Sequence, residues 1–318
     1  MGSAKTYADF SEYEVKGYSP TYFEWASSIS RDGDVLALIE QLPRRRQQPN
    51  LIFAASRFLG VNPGPYAEFR DFLVNNWLDV ADVALNQRTQ TNEPGRCAVI
   101  LPILASLPQP LALLEVGASA GLCLYPDKYS YLYDAAHRVD PKDGVSDVSI
   151  HCTTRGEPPL PNSLPTIVWR AGIDLNPLDV RDDSSMRWLQ ALMWPEQEYR
   201  LTRLKAAIDI AKSNPPILFE GDLVERLTEV ANRAPDDATL VIFHSAVLVY
   251  LDDDRRHDFI NQVRSLRATW ISNEAGGVSP LERAIDVPRD NSPTPFVLAR
   301  DGVAVALAGA HGQTLDWF

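Results

Sequence analysis

Apolar positions divide the chain near residue 110. Before it, Val35, Leu36, Leu38, Ile39 and Leu42 recur at helical spacing, and so do Leu51, Ile52, Ala55, Phe58 and Leu59. A longer third stretch holds Phe69, Phe72, Leu73, Asn76, Trp77 and Val80, with Pro43, Pro49, Pro63 and Pro65 as breaks between the stretches. Nothing here alternates like a strand, so residues 1–110 are predicted to be a helical N-terminal region. From Leu111 the pattern changes to short apolar runs at Leu111–Val116, Thr166–Ile173, Ile217–Glu220, Leu240–Phe243 and Thr269–Ser272. Such runs suit strands buried on both faces of a mostly parallel sheet. Between them Leu201, Leu204, Ile208 and Ala211 share a helix face, as do Leu223, Leu227 and Val230, and then Phe259, Val263 and Leu266. Near the C-terminus Phe296–Arg300, Asp301-Gly302 and Val303–Ala308 predict a tight antiparallel hairpin, because Asp-Gly suits a positive-φ turn. The segment 129–164 interrupts the rhythm as an insertion with two short strands, Tyr129–Tyr133 and Val148–Cys152.

These elements predict an α/β fold: a Rossmann-like sheet over residues 111–318, of the class I methyltransferase kind with its C-terminal antiparallel hairpin, and a helical region over 1–110 that covers it. The formal charge of -12 and pI near 4.9 oppose a phosphate backbone and argue against a nucleic-acid partner. Cys97, Cys123 and Cys152 lack CxxC spacing and form no full disulfide framework, which fits a reducing, cytoplasmic setting and predicts no metal site. No apolar run approaches a membrane span, and the first residues lack the apolar core of a signal peptide. The oligomeric state is left open.

The stretch Leu113-Leu114-Glu115-Val116-Gly117-Ala118-Ser119-Ala120-Gly121 carries the most chemistry, since a buried strand runs into a turn of small residues placed to open a helix. A dinucleotide would want a third glycine where Leu122 stands, and no carboxylate at Glu115. S-adenosylmethionine bears an ammonium and a sulfonium and no phosphate, so an acid at the strand end suits it electrostatically. Glu115-x-Gly117-x-Ser119-x-Gly121 resembles the methyltransferase loop, with Ser119 for the middle glycine and Ala118 beside it. The same residues satisfy G-x-S-x-G, the nucleophile elbow of serine hydrolases, and His311 permits the chain order Ser, Asp, His. Against that stand the helices, rather than strands, that precede the turn.

Downstream, Asp174 ends the second strand, where an acid accepts from ribose hydroxyls; Asp134 is its substitute, and a helix cap is its simpler role. Asp222 and Leu223 follow the third strand at the adenine position, Asp222 being equally an N-cap. His244 leaves the fourth strand and is the candidate base, with Ser245 or Tyr250 orienting a small-molecule acceptor; a hydrogen-bonded structural histidine is the plainer alternative. Asn92, Glu93 and Arg96 form a polar knot before the sheet that would reach the ligand cleft, or simply make a solvated turn. Arg170, inside an apolar strand, needs a buried acidic partner or a substrate anion.

Taken together, Glu115 to Leu122, Arg170 to Val180, Trp194-Pro195-Glu196-Gln197 and Thr91-Asn92-Glu93 resemble an uncharacterised bacterial family, domain of unknown function 2332. The likeness covers nearly the whole chain, and the second stretch is fairly specific. It implies a bacterial cytoplasmic protein with a methyltransferase-like domain and brings no activity with it. A small-molecule methyltransferase using S-adenosylmethionine is therefore the leading expectation. A serine hydrolase using Ser119 and a non-catalytic ligand-binding protein are the alternatives.

Overall fold

Prolines and short polar side chains set the helix boundaries of the N-terminal region: α1 (Ser3–Phe10), α2 (Pro20–Ile29), α3 (Gly33–Ile39), α4 (Pro49–Phe58), α5 (Tyr66–Asn75) and α6 (Trp77–Asn86). Pro20 and Pro49 take the first positions of α2 and α4, where a missing amide does no harm and the ring presets φ. Ser19 and Asp32 cap α2 and α3 by accepting from the Tyr22 and Val35 amides. The apolar stripe over Phe69–Val80 belongs to two helices, because Asn76 leaves helical geometry at φ -118°, ψ 22°.

The computed structural model describes residues 2–278 and 295–318, and in it the chain forms two units. The first runs from the start of the chain to Thr91 and takes in Asp182–Lys205, a segment separated from it by about half the sheet sequence. That segment holds α8 (Asp183–Ala191) and the first turns of α9 (Glu198–Ser213). Aromatic side chains build the core: Tyr7, Tyr22, Trp25, Phe53, Phe69 and Trp188 are buried, and Trp25 stacks on Phe69 at 4.1 Å between ring centroids. The Trp188 indole donates to the Arg88 carbonyl at 2.9 Å. Glu196 accepts from the Ser19 hydroxyl at 2.5 Å and the Thr21 amide at 2.9 Å, so the Trp194-Pro195-Glu196-Gln197 stretch anchors the start of α2.

The second unit comprises Asn92–Arg181 and Ala206–Phe318. Thus α7 (Cys97–Ser106) groups with the sheet, although a division at residue 110 assigns it to the preceding helices. Cys97 to Leu104 are all buried, so α7 shows no amphipathic stripe, and it touches strands from two regions of the sheet. The strands are β1 (Leu111–Val116), β2 (Ser130–Tyr133), β3 (His137–Val139), β4 (Ser149–Arg155), β5 (Ile167–Asp174), β6 (Ile217–Glu220), β7 (Thr239–Ser245), β8 (Thr269–Ala275), β9 (Phe296–Arg300), β10 (Val303–Ala308) and β11 (Thr314–Trp317). Two helices, α10 (Leu223–Ala231) and α11 (Asp253–Ser265), alternate with the later strands.

The sheet runs β3-β2-β4-β11-β10-β9-β8-β7-β1-β5-β6. Its parallel centre is β6-β5-β1-β7-β8, in which β1 is buried along its whole length between β5 and β7. The Asp301-Gly302 hairpin forms with both residues at positive φ, 52° and 82°. It does not end the sheet. β11 pairs with β10 and, in parallel, with β4, so the inserted strands β2 to β4 extend the same sheet instead of standing apart from it. Buried Trp188 joins two distant stretches of the helical unit. Trp188→Ala is expected to lower unfolding stability by about 3–5 kcal/mol in chemical denaturation. A change under 1 kcal/mol would mean that the Asp182–Lys205 segment is not part of that core.

Candidate functional site

The turn after β1 opens no helix. Leu122–Leu124 is a single 3-10 turn, so the expected helix N-terminus facing a ligand is absent and the amides of the turn need other acceptors. Those of Gly117 and Ala118 donate to the Ile173 carbonyl at 2.8 and 3.2 Å, and that of Gly121 to the Ala118 carbonyl at 2.7 Å. The Ser119 amide donates to Asp174 Oδ2 at 2.8 Å, and the Leu122 amide to Asn92 Oδ1 at 2.8 Å. Asp174 Oδ1 accepts from the Asn176 amide at 2.8 Å. Asp174 therefore ties the turn to the end of β5 and caps no helix, since α8 starts at Asp183 behind its own cap Asp182, and both Asp174 oxygens already have backbone partners.

Protein also fills the space the glycines leave. A Cβ on Gly117 would lie 2.4 Å from the Val247 side chain, and one on Gly172 would lie 2.4 Å from Ala118 Cβ. Close approach of β5 and of the turn after β7 is what these positions require.

Register in the parallel centre sorts the neighbouring residues onto two faces, because side chains level with one another on adjacent strands point the same way. Glu115 is level with Gly172 and Phe243, and Ser245 with Asn273. This face carries the polar knot. Arg96 Nε donates to the Ala310 carbonyl at 3.0 Å and its Nη1 to the Ser245 carbonyl at 3.1 Å. The Glu93 carboxylate accepts from the Gly95 amide at 2.9 Å, and the Cys123 thiol lies 3.3 Å from the Glu93 carbonyl. Asn92, Glu93, Arg96, Glu115 and Ser119 are all buried, so the 92–96 segment is no solvated turn.

Three oxygens on or beside this face, Glu115 Oε2, Ser119 Oγ and Asn273 Oδ1, are buried without a hydrogen-bond partner. Burial pushes the Glu115 carboxyl well above its usual range; the nearby Cys123 adds to the shift and the Arg96 charge opposes it.

On the opposite face His244 is enclosed. Its Nε2 accepts from the Trp270 indole at 3.0 Å, which places the ring proton on Nδ1, and Nδ1 donates to Glu274 Oε1 at 2.7 Å. Glu274 also accepts from the Val247 amide at 2.9 Å and the Leu248 amide at 3.3 Å, fixing the turn after β7. With both nitrogens engaged and the side chain buried, His244 is the hydrogen-bonded structural histidine and offers no free nitrogen as a base. Tyr250 is 79% exposed on the turn after β7, away from this network.

Asp222 caps α10 through the Val224 amide at 2.8 Å and pairs with Arg255; burial raises its carboxyl, but these partners bring it below the usual range overall. Leu223 begins α10 and packs into the core beneath it. Arg170 has the acidic partner its position demanded: Asp127 at 2.7 Å, with the guanidinium over the Tyr125 ring at 4.9 Å. Asp134 accepts from the Thr154 amide at 2.6 Å and binds β2 to β4. The structure thus gathers Asn92, Glu93, Arg96 and Glu115 about the turn after β1, links Arg96 to the Ser245 carbonyl, holds Ser119 against Asp174, and places Asp222, Arg170, Tyr250 and His244 elsewhere. Asn273 and Glu274 are added from β8, where an Asn-Glu pair at the end of an apolar strand was the available sign. Among the described residues no cluster of three His, Cys, Asp or Glu side chains could hold a metal ion, and no helix is long and apolar enough to cross a membrane.

A family model described as an uncharacterized protein conserved in bacteria, DUF2332, matches residues 4–317, and the chain belongs to that family. No curated protein matches it.

Glu115 yields a pH test. Below its ordinary value of 4.5 the carboxyl is protonated in both folded and unfolded chains, and above it only the folded chain holds the proton. Stability is therefore lost with rising pH, by up to about 1.4 kcal/mol per unit until the raised folded value is reached. Glu115→Gln is expected to leave thermal unfolding nearly unchanged near pH 4 and to raise the melting temperature progressively toward pH 8. An equal shift at both ends would show that the carboxyl is not held protonated.

Proposed function

We propose that this protein binds S-adenosylmethionine at the carboxyl ends of β1 and β7 and methylates a small molecule. Taken in chain order, the parallel strands β1, β5, β6, β7 and β8 lie side by side as 3-2-1-4-5, the Rossmann order. In such sheets ligands enter where successive connections diverge, here between β1 and β7. The observation that carries the reading is Glu115 at that point, with one carboxylate oxygen buried and unpartnered beside a turn of small residues.

The residues fit one end of this cofactor. Glu115 Oε2 suits its ammonium, and binding a cation there favours the ionised carboxylate and releases a proton. The nucleoside end lacks the partners that strand position suggested, since Asp174 holds the turn and Asp222 holds α10 and Arg255. Val247 covers Gly117, so close approach of a ligand to the turn backbone requires the β7 turn to shift. When bound, the cofactor supplies an electrophilic methyl group; the chain's part is to bind and orient, and a base is needed only if the acceptor must lose a proton.

Calorimetric titration with S-adenosylmethionine and S-adenosylhomocysteine tests the reading. Micromolar binding is expected, weakened about tenfold or more by Glu115→Ala through loss of a charge-assisted contact. Folded, ligand-free protein that binds neither compound would end it.

Ser119 favours a second reading. Its φ of 51°, its unpartnered Oγ and the glycines on either side resemble a strained nucleophile elbow, and Arg96 holds the carbonyl of Ala310, next to His311. The missing helix after the turn and the 2% exposure of Ser119 oppose it. A fluorophosphonate adduct located on Ser119 by mass spectrometry would replace methyl transfer with hydrolysis, and an unlabelled Ser119 would remove the hydrolase.

A further inference from the structure

We propose that the Ser245–Asn273 end of the polar face is a subsite for the protonated amine of a small molecule. Asn273 is fully buried on β8, and its amide is used on one side only. Nδ2 donates to Ser245 Oγ at 2.9 Å, while Oδ1 has no donor. A buried carbonyl oxygen without a donor is unfavourable by about 1–3 kcal/mol, so a bound group bearing N–H would satisfy what the protein leaves open. Ser245 is half-buried at the end of β7.

The open atom selects the group that fits it. Asn273 Nδ2 is engaged by Ser245 Oγ and Oδ1 has no donor, so the position calls for a hydrogen-bond donor, which an anion such as a carboxylate does not supply. An ammonium presents three N–H donors where a hydroxyl presents one, and its charge-assisted bond to Oδ1 is the stronger.

The subsite extends the methyl-transfer reading by naming the chemistry of the acceptor, and it rests on that reading for this role. Its test needs no cofactor. Saturation-transfer NMR on the whole chain compares benzylammonium with benzoate, which are close in size and differ in charge and in offering donors or acceptors. Benzylammonium is expected to bind and benzoate not to. Asn273→Leu should weaken benzylammonium at least tenfold, and Ser245→Ala, which frees the amide to rotate, should erode the preference between the two probes.

Equal binding of benzoate, or benzylammonium binding that survives Asn273→Leu, would overturn the subsite. So would the absence of binding by either probe, which would leave a buried water as the occupant. Failure of the two proposals is separable. Amine binding without S-adenosylhomocysteine binding would sink methyl transfer and keep the subsite, and the reverse pattern would sink the subsite alone.

Discussion

The turn that follows β1 must satisfy its backbone without a helix, and the carboxyl edge of the sheet is organised around that requirement. In a strand-to-helix turn the first helical amides stay open to a ligand or to water. Here Leu122–Leu124 makes one 3-10 turn, and Ile173, Asp174 and Asn92 take the amides. Asp174 is thereby committed to holding the turn, and Asn92 is drawn into the sheet unit ahead of α7. Gly172 must remain small because Ala118 lies where its side chain would be. The small-residue turn is a packing device first, and any ligand must work with what that packing leaves available.

What it leaves differs between the two faces. On the face of His244, every polar atom of the His244–Glu274–Trp270 chain has a partner, and Glu274 clamps the amides of the turn after β7. A closed network of this kind rigidifies. On the face of Glu115, Glu115 Oε2 and Asn273 Oδ1 stay buried and unpartnered, as does Ser272 Oγ level with His244 on the other, and the Glu115 carboxyl is raised well above its ordinary range by burial. Unpartnered buried groups lower stability, and on the proposed reading a ligand donor at Glu115, where β1 and β7 diverge, would offset that cost. Rigidity on one face holds the open positions of the other in place, since Ser245 and His244 are consecutive on β7 and Asn273 and Glu274 are consecutive on β8.

Much of the fold was legible along the chain. The parallel strands announce themselves because strands buried on both faces read as continuous apolar runs, and β9 and β10 carry a turn dipeptide whose backbone preference is local. Elements without a local signature were not legible. α7 is buried all round and has no stripe. β11 is four residues long and gains its identity from pairing with β10 and β4. The break at Asn76 is invisible in an apolar pattern that continues across it.

The candidate site divides the same way. By itself the sequence determined the central strands, the acid and small residues at the end of β1, and the polar knot at Asn92, Glu93 and Arg96, because each is a run of neighbours whose chemistry can be read in place. Tertiary structure alone decided which polar groups are already satisfied. Asp174, Asp222 and His244 look like ligands in sequence because their types and strand-end positions are right, yet their partners are backbone amides, Arg255, Glu274 and Trp270. Asn273 carried only the weak sign of a polar pair ending an apolar strand, and register placed it beside Ser245 with an oxygen to spare. A hydrogen bond belongs to two groups, and when the second is supplied by another strand or helix, only the folded chain can show whether the first remains open.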